Sequence, residues 1–508
     1  MALLAQLYLA KWLLLAVVAL VYGVRKYRMY MRLRAFKGPF STGWSEVWHI
    51  CAIASLHSHL WYEDVCKRYG TIARVGPNDL VTTSLELLTH MSSVRSPYTK
   101  AAWYYRASRF ESGKDHIFST VDEEHHARRR QQMAAGYSGK ENFAIECTID
   151  GCVQELIDLI RTKYLSTEKR SLPMDFARKI QYLALDVISL IGFGQAFGDL
   201  KADADVDSYI QSAEEGLSLL NYTAAIGIMP YMQWPLLARL TGPSEKDTGG
   251  HGKMMAKARC LIDERLTQPT DKRSDMLASF IRHGLTRDDL FTEAMLQILA
   301  GSDTTATAIR GTMLCIMSHP RVHNKLQAEI DAAVTSGTAS AASDIISEAS
   351  ANKLEYLQAV IREGLRVHPP VTDVAPKVVP KGGDKVIIDG EHIYLPGNTN
   401  IGFCVVGLNR NKKIFGDDVD QFRPERWLVE DQGRLTAMKR VTDLLFGSGR
   451  YQCLGKPIAW MEINKTIFEL LRHFDWALAF PEKPWISKNY MGIFVQEEMW
   501  VQVTERSV

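Results

Sequence analysis

Apolar side chains recur every three to four residues along most of this chain, which is the spacing of helices that bury one face. The clearest examples are residues 142–165, 286–319 and 456–473. Residues 70–84 alternate apolar and polar positions around a Gly-Pro-Asn turn, and residues 371–402 place short β-branched runs between Gly and Pro. Both patterns predict short strands. We therefore expect a mainly α (α+β) fold with small sheets, without a doubly wound sheet.

Composition is that of an ordinary globular protein, with 508 residues, 46% hydrophobic and 23% charged. Residues 241–253 and 335–344 are rich in small and polar side chains and are predicted loops. The net charge of +2 gives no indication of nucleic-acid binding, so no nucleic-acid partner is expected. The eight cysteines include no Cys-x-x-Cys pair, which is typical of reduced thiols in a cytosolic environment.

The N-terminus departs from this average. Residues 2–24 are apolar apart from Gln6 and Lys11. As a helix they would extend roughly 34 Å, which is enough to cross a bilayer. Basic residues follow, and no acidic residue occurs before Glu46, so the positive-inside rule leaves the rest of the chain in the cytosol.

These features predict a transmembrane anchor over residues 1–24, a basic, proline-containing linker over 25–45 and one folded domain over 46–508. Pro39 would end any helix and let the domain pivot against the membrane. A cleaved signal peptide is the alternative, because residues 12–24 resemble its apolar core. The basic residues that follow oppose translocation and favour the anchor.

One glycine-rich stretch, FGSGRYQCLG at residues 446–455, contains a single cysteine, Cys453, just before a predicted helix. The residues alone leave four interpretations open: a small buried hydrophobe, half of a disulfide, a nucleophile or a metal ligand.

A second unusual stretch is AGSDTTA, residues 300–306, inside a long apolar helix. Glycine is unfavourable in a helix by about 1 kcal/mol relative to alanine, but Gly301 would let a flat ligand approach the backbone. The Thr304 hydroxyl can bond a carbonyl of its own helix and loosen the turn. The stretch is either a harmless irregularity or, with Asp303 beside Thr304, a proton relay.

A third motif is EGLR, in which Glu363 and Arg366 share one helical face. A surface pair of this kind would carry little meaning. Here apolar residues flank the pair, and FRPERW at residues 422–427 offers Arg426 as a second partner for the carboxylate.

Together and in this order, the motifs resemble those of the cytochrome P-450 family, the haem-thiolate monooxygenases, specifically the microsomal type common in fungi. The resemblance covers essentially the whole chain. Besides the motifs above, it rests on KGPF, YGTIARVGPN at 69–78 and HHARRR at 125–130. It implies the cytochrome P-450 fold and haem b as the cofactor.

The resemblance also implies residue roles. Cys453 would be the proximal thiolate ligand of the haem iron, and thiolate ligation favours O–O cleavage. Asp303 and Thr304 would deliver protons to dioxygen on the distal side. Glu363, Arg366 and Arg426 would form a structural triad. The other seven cysteines are expected to be core or surface thiols.

Further residues are expected to hold the haem. His126 and Arg130, one helical turn apart, would contact a propionate, although a solvated basic run is the alternative. The family usually has arginine or histidine two residues before the cysteine and arginine at position 377, whereas this chain has Tyr451 and Lys377. Arg450 and Lys377 are therefore weaker candidates for propionate contacts. Phe446, Gly449, Gly455 and Gly301 complete the predicted cofactor site.

The substrate is expected in a largely apolar distal pocket. Its candidate lining residues come from segments 103–118 and 490–494, from residues 371–374 and from the helix face near Ile298 and Ala300; in the first segment they are Trp103, Tyr104, Phe110 and Phe118.

The resemblance implies a monooxygenase that inserts one atom of O2 into a lipophilic small molecule, tailoring a fungal secondary metabolite. Electrons would come from NADPH through a separate diflavin reductase, which would dock near Arg450 and Lys456. The enzyme would sit in the endoplasmic reticulum membrane as a single-pass protein, with its catalytic domain in the cytosol. The alternatives are an isomerase, dehydratase or peroxygenase that works without a reductase, and a non-catalytic haem-binding protein.

Overall fold

Helices make up most of the molecule, and its strands are short. The computed structural model describes residues 2–247, 250–267, 273–339, 344–372 and 374–506. The helices are α1 Ala2–Arg32, α2 Val47–Ala54, α3 Ser58–Tyr69, α4 Leu85–Ser92, α5 Ala102–Tyr105, α6 Glu123–Tyr137, α7 Ile145–Leu159, α8 Phe176–Phe193, α9 Asp199–Ala202, α10 Tyr209–Ala225, α11 Met229–Met232, α12 Pro235–Thr241, α13 Gly250–Thr267, α14 Met276–Arg282, α15 Arg287–Ser318, α16 Pro320–Thr335, α17 Glu348–Ala351, α18 Glu355–Val367, α19 Val405–Asn409, α20 Lys412–Phe415, α21 Gln432–Asp443 and α22 Lys456–His473.

The strands are β1 Ile72–Arg74, β2 Asp79–Thr82, β3 Thr99–Lys100, β4 Met174–Asp175, β5 Lys377–Val378, β6 Asp384–Ile388, β7 Glu391–Leu395, β8 Asn400–Phe403, β9 Phe474–Leu478, β10 Ile486–Tyr490, β11 Ile493–Glu497 and β12 Trp500–Glu505. Single turns of 3-10 helix lie at Phe40–Gly43, Arg106–Ser108, Pro424–Trp427, Leu444–Phe446 and Gly449–Tyr451, and a π turn follows α7 at Ile160–Tyr164.

The largest sheet has the strand order β1-β2-β8-β5-β3. Strands β1 and β2 are antiparallel, as the alternation of residues 70–84 predicted, and β2 pairs in parallel with β8 through Leu80 and Ile401. A second sheet has the order β4-β12-β9, while β6–β7 and β10–β11 form hairpins. The predicted combination of a helical body with small sheets is confirmed.

The long helix α15 lies at the centre and packs against α8, α18 and α22. Its start is fixed by a capping box, in which Thr286 and Asp289 each accept the other's backbone N–H. Ile298, Ile309 and Met313 are fully buried along it. Because this helix is enclosed, its polar residues must find partners inside the protein.

The predicted boundaries differ from the structure at two places. Helix α1 does not end near residue 24 but continues through the expected linker to Arg32. The loop expected over residues 241–253 is shorter, because α12 extends to Thr241 and α13 begins at Gly250. The loop expected over 335–344 lies partly outside the described residues.

The base of α1 is held by Arg74, which is buried and donates hydrogen bonds to the carbonyls of Met29, Tyr30 and Gly43. The Tyr30 ring also stacks on Trp44, with 4.3 Å between ring centroids. These contacts attach the end of α1 to the body, so the freely pivoting linker expected around Pro39 is not found.

Among the residues that the structure describes, no helix combines the length and the apolar character needed to cross a membrane. The predicted transmembrane anchor is therefore not confirmed.

The predicted structural triad is present and completely buried. Glu363 accepts hydrogen bonds from Arg366 Nε and Arg426 Nε, each at 2.8 Å. Trp427 Nε1 donates to the same carboxylate at 2.9 Å, a partner that the sequence did not predict. Both arginines also donate to backbone carbonyls, including Val419 O and Phe415 O at 2.7 Å. Every charge in this cluster therefore has a counter-charge and hydrogen bonds.

Candidate active site

The cysteine loop folds tightly before α22. Gly447 and Gly449 adopt φ angles of +67° and +59°, which suit glycine, and a Cβ on Gly449 would lie 2.2 Å from Ser92 O. The Cys453 N–H donates to Phe446 O at 2.7 Å and closes the loop. Gly455 has an ordinary backbone angle, with φ −79°. The tight fold predicted for the glycines of this loop therefore depends on Gly447 and Gly449 and not on Gly455.

The Cys453 side chain is exposed by surface area, although protein atoms surround most of the thiol. This means that the sulfur faces an internal space and not the outer surface. Burial raises the pKa of the thiol, while the N–H groups of Gly455 and Lys456 and the charge of Arg130 act in the opposite direction. That backbone amides point at this sulfur stays a prediction.

Helix α6 connects the cysteine loop to α15. Arg130 donates to Gln452 O at 2.6 Å, next to Cys453. Tyr137 lies beside Gly455, and its hydroxyl accepts a hydrogen bond from Gln297 Nε2 at 3.1 Å. Gln297 is one helical turn before Gly301 in α15. The cysteine loop and the AGSDTTA segment are thus neighbours in space, although about 150 residues separate them in the chain.

The AGSDTTA segment borders a space inside the protein. Ala300 is exposed, and Gly301 and Thr304 are half-buried, although the flanking turns of α15 are buried. Thr304 Oγ1 donates to Ala300 O at 2.8 Å, which confirms the predicted bond to its own helix. The hydroxyl is half-exposed to this space and can hold a proton there.

Asp303 makes different contacts from Thr304. Its Oδ1 accepts a hydrogen bond from Gln181 in α8, and Gln181 in turn accepts one from Arg310 at 2.6 Å. Burial raises the pKa of Asp303 to about 6, against the lowering effects of Gln181 and Arg310. Its Oδ2 has no partner among the described residues. Asp303 is therefore a buried acid poised near neutral pH, held by a network that the sequence did not reveal.

Gly301 has a different role from the one predicted. A Cβ at this position would lie 2.6 Å from Ile188 Cγ1 in α8. The glycine therefore allows α15 and α8 to pack closely. A side chain at this position would point toward Ile188 and not toward a flat ligand.

A cluster of cations surrounds Tyr451. Lys100 and Lys377 are buried, and each Nζ lies about 5 Å from the Tyr451 ring centroid. Arg450 lies 3.3 Å from Glu123, which also accepts a hydrogen bond from the Tyr451 hydroxyl. Burial lowers the pKa of Lys100 to about 7 and that of Lys377 to about 8. Among the described residues, only Arg450 of these three cations contacts a carboxylate, that of Glu123.

The donors of these lysines are used differently. Lys100 Nζ donates to three carbonyls, those of Ile117, Phe118 and Thr120. Among the described residues, Lys377 Nζ donates only to Met91 O and Ser92 Oγ, which leaves one N–H for a ligand. Sequence reasoning missed Lys100. Its one visible signal is a single cation in the aromatic stretch YTKAAWYY.

His126 completes the cluster. Its ring lies 5.1 Å from that of Tyr451, and its buried Nδ1 has no hydrogen-bond partner among the described residues. Burial and then the neighbouring Lys100, Arg130 and Arg450 lower the pKa of His126 to about 3. The neighbouring Arg129 is buried and paired with Glu293 at 2.7 Å, so the HHARRR segment is not a solvated basic run.

These features fit a haem. The surplus positive charge around Tyr451 matches two propionates, and the orphaned His126 Nδ1 offers a further contact. The exposed Cys453 sulfur and the exposed Ala300 border the space that a flat macrocycle needs. Cys453 would be the iron ligand, while Lys377, His126, Arg130 and Arg450 are placed near the expected propionates. Phe446 is half-buried, and its ring packs 6.3 Å from that of Trp460.

The predicted reductase surface needs correction at both named residues. Arg450 turns inward and donates to Ser96 O. Lys456 pairs with Asp443 at 2.8 Å. Exposed cations near this loop are instead Arg128, Lys439 and Arg440.

Several predicted substrate residues meet at one cleft. It has a free volume of about 20 Å³ and is lined by Trp103, Tyr104, Val374 and Met491, together with residues of α2 and α3. Phe118 is part-exposed. Ile298 is fully buried and lines no open space, so that prediction is wrong.

Comparison with known proteins agrees with the geometry. The family model for cytochrome P-450 matches residues 39–502. The chain is 40% identical to the cytochrome P-450 monooxygenase ABA1 of Pyricularia oryzae, over 96% of each chain. It is 36% identical to aba1 of Botryotinia fuckeliana, over 93% of this chain and 92% of that protein. It is 31% identical to abl1 of Leptosphaeria maculans, over 97% of this chain and 88% of that protein.

The chain therefore belongs to the cytochrome P-450 family, and the enzyme is a cytochrome P-450 monooxygenase. Membership of this family implies haem and dioxygen. The predicted family and enzyme class are confirmed.

Proposed function

We propose that this enzyme inserts one atom of O2 into a lipophilic small molecule, by hydroxylation, epoxidation or a related oxidation, and so tailors a fungal secondary metabolite. The observation that carries the proposal is the Cys453 sulfur, which faces an internal space where the N–H groups of Gly455 and Lys456 lower its pKa against the effect of burial. When haem is bound at this thiolate, it supplies the oxidising power for oxygen insertion. The fungal origin of the relatives supports the substrate class.

The protein's own residues would manage protons and access. Thr304 Oγ1 would hold a proton beside the reacting space, and Asp303, with its pKa raised to about 6 by burial, would resupply it. A change of side-chain rotamer would bring Asp303 Oδ2, which has no partner among the described residues, toward that space. The intact acid and alcohol favour oxygenation over an isomerase or dehydratase reaction.

Electrons would come from NADPH through a separate diflavin reductase. The docking surface would use exposed cations near the cysteine loop, namely Arg128, Lys439 and Arg440. Opposite charges on the partner would steer this contact.

The enzyme would act at the cytosolic face of the endoplasmic reticulum. Support comes from α1, which exposes Leu13, Leu14 and Leu20 and ends in basic residues. Its apolar surface would enter the lipid, and its basic end would contact the headgroups. Flotation with liposomes tests this attachment, and deletion of residues 1–37 should abolish it while haem stays bound.

The ligand assignment is tested by Cys453→Ala. The wild-type ferrous–carbon monoxide complex should show the red-shifted Soret band typical of thiolate ligation, and the variant should lose it. Cys260→Ala, which removes another exposed thiol, should keep it. A thiolate-type band in Cys453→Ala would refute the assignment.

The proton role is tested by Thr304→Ala. Haem binding should be unchanged, while NADPH oxidation with reductase and substrate should yield more hydrogen peroxide and less product. Thr307→Ala, on a buried face of α15, is the matched control. Equal coupling in the wild type and Thr304→Ala would count against the relay.

A further inference from the structure

The cleft, whose free volume of about 20 Å³ suits one water molecule or one hydroxyl group, carries a pair of polar side chains that oxygenation chemistry does not use. It lies between α2, α3, α5 and the turn of the β10–β11 hairpin. His49 of α2 and Tyr62 of α3 both line it, and Tyr62 Oη lies 3.1 Å from His49 Nδ1. Trp103, Tyr104 and Val374 supply apolar walls.

Two buried asparagines hold the walls of this cleft in place. Asn489 accepts hydrogen bonds from Ser58 Oγ at 3.1 Å and Gly492 N at 3.0 Å, and donates to Thr372 Oγ1 at 2.9 Å. Asn221 of α10 donates to Ile53 O at 3.2 Å and accepts from Met491 N at 3.1 Å.

These bonds connect four separate parts of the chain, and both asparagines are almost completely buried. The cleft is therefore preformed, as ligand sites usually are.

The polar pair leaves one ring atom for a ligand. His49 Nε2 has no hydrogen-bond partner among the described residues, while Nδ1 is engaged by Tyr62. Burial lowers the pKa of His49, so the ring is neutral near pH 7. Depending on the tautomer, Nε2 either donates or accepts a hydrogen bond. A hydroxyl group suits both cases, because it can accept and donate.

The lining of the cleft disfavours a carboxylate as the bound group. Among the described residues that line it, none is Lys, Arg, Asp or Glu. A carboxylate would therefore be desolvated without a counter-charge, which is costly. A pure hydrocarbon would leave His49 Nε2 without a hydrogen-bond partner among the described residues.

The cleft is linked to the cofactor side by aromatic rings. Trp103 contacts Tyr104 at 5.7 Å between centroids, Tyr104 contacts Tyr105 at 5.2 Å, and Tyr105 contacts Phe118 at 5.1 Å. Lys100 lies over the rings of Phe118 and Tyr451. A lipophilic molecule along this wall would have one end in the cleft and the other toward the cysteine loop.

We propose that the His49–Tyr62 pair binds an uncharged hydroxyl group at the end of the substrate that is not oxidised. The substrate class is thus a lipophilic alcohol, neither a hydrocarbon nor a carboxylate. This inference rests on the proposed oxygenase function, since the oxidised end would lie near the haem. His49 is a specificity-determining residue, and Tyr62 positions its ring.

Spectral titration of the haem-loaded enzyme with decane, 1-decanol and decanoate tests the proposal. The wild type should bind 1-decanol tightest. His49→Phe should weaken 1-decanol binding about three- to tenfold, the value of one hydrogen bond, and leave decane binding unchanged. Tyr62→Phe, a milder change, should weaken it in the same direction. His392→Phe, in the exposed hairpin strand β7, is the matched control and should match the wild type.

Undetectable or equal binding of decane and 1-decanol by the wild type would overturn the proposal, as would preference for decanoate. Equal losses for decane and 1-decanol in both variants would also overturn it, since that indicates altered packing. The thiolate-type carbon monoxide band separates this failure from failure of the oxygenase assignment. If the band is present and the alcohol preference is absent, only the His49 inference fails.

Discussion

Two buried charge clusters in this protein use the same side-chain types but balance their charges differently. In the triad, Glu363 contacts two arginines and a tryptophan, Arg426 also pairs with Asp418 at 3.1 Å, and both arginines donate further hydrogens to carbonyls. Around Tyr451, Arg450 pairs with Glu123, whereas Lys100 and Lys377 contact no carboxylate among the described residues. The first cluster is complete, whereas the second has surplus positive charge that an anionic ligand would neutralise.

This difference separates structure from function. Removing one member of a balanced cluster leaves an unpaired buried charge, so the fold should suffer. Removing a cation from a surplus should relieve repulsion in the empty protein and weaken only the hold on the ligand. A lone buried acid is a third case: its charge has no partner, no ligand is expected to neutralise it, and its removal should affect stability alone.

The largest effect is expected for Glu363→Gln. It keeps the shape of the side chain but leaves Arg366 buried without a counter-charge and Arg426 with only Asp418, 3.1 Å away, so the free energy of unfolding should fall by about 3–5 kcal/mol. Urea unfolding followed by far-UV circular dichroism measures this loss. Glu505→Gln, which breaks an exposed pair with Arg161, should cost less than about 1 kcal/mol. Equal midpoints for the two variants would show that the triad is not a folding element.

The triad was predictable from sequence because local geometry decides it. Spacing of three residues puts Glu363 and Arg366 on one face, and apolar neighbours indicate burial. The bounds of α22 and the β1–β2 turn were also predictable from local patterns, namely the helical spacing of apolar residues and the Gly-Pro-Asn turn. The third member, Arg426, was offered as a candidate by FRPERW, and the resemblance to a known family assigned it to the triad.

The surplus cluster was only partly predictable, because tertiary contacts bury its members. Lys100 becomes buried when residues 117–120 fold back over its ammonium group. Likewise, the contact of Asp303 with Gln181 depends on how α8 packs against α15, and Gly301 is required by Ile188 from the same helix. No local pattern in the chain encodes these neighbours.

A smaller effect, confined to the cofactor, is expected for Lys377→Met. The substitution keeps the apolar stem and removes the ammonium group with its spare N–H. Transfer of haem to excess apomyoglobin should be about tenfold faster, the value of one charge-assisted hydrogen bond. Lys385→Met, on the exposed face of β6, should not change the rate. If Lys377→Met lowers the unfolding midpoint as much as Glu363→Gln while haem transfer is unchanged, the distinction between the clusters fails.

A pH-dependent effect is expected at Asp199, a buried acid without a contacting cation in the described structure. Burial, and more weakly Asp186, raise the pKa of Asp199 to about 7. Between pH 4 and pH 7 the folded protein therefore keeps a proton that the unfolded chain releases, so stability falls as the pH rises through this window. Asp199→Asn removes this dependence and can still accept the Val206 N–H.

The advantage of the Asp199→Asn variant over the wild type should grow by about 2 kcal/mol between pH 5 and pH 8, measured as unfolding midpoints in urea. Asp475→Asn, at an exposed position, should show the same small difference at both pH values. Because nothing binds at Asp199, the gain should come without any change in haem retention. A gain that is equal at both pH values would mean that the carboxyl group does not titrate in this range, and the comparison would then not extend to single buried charges.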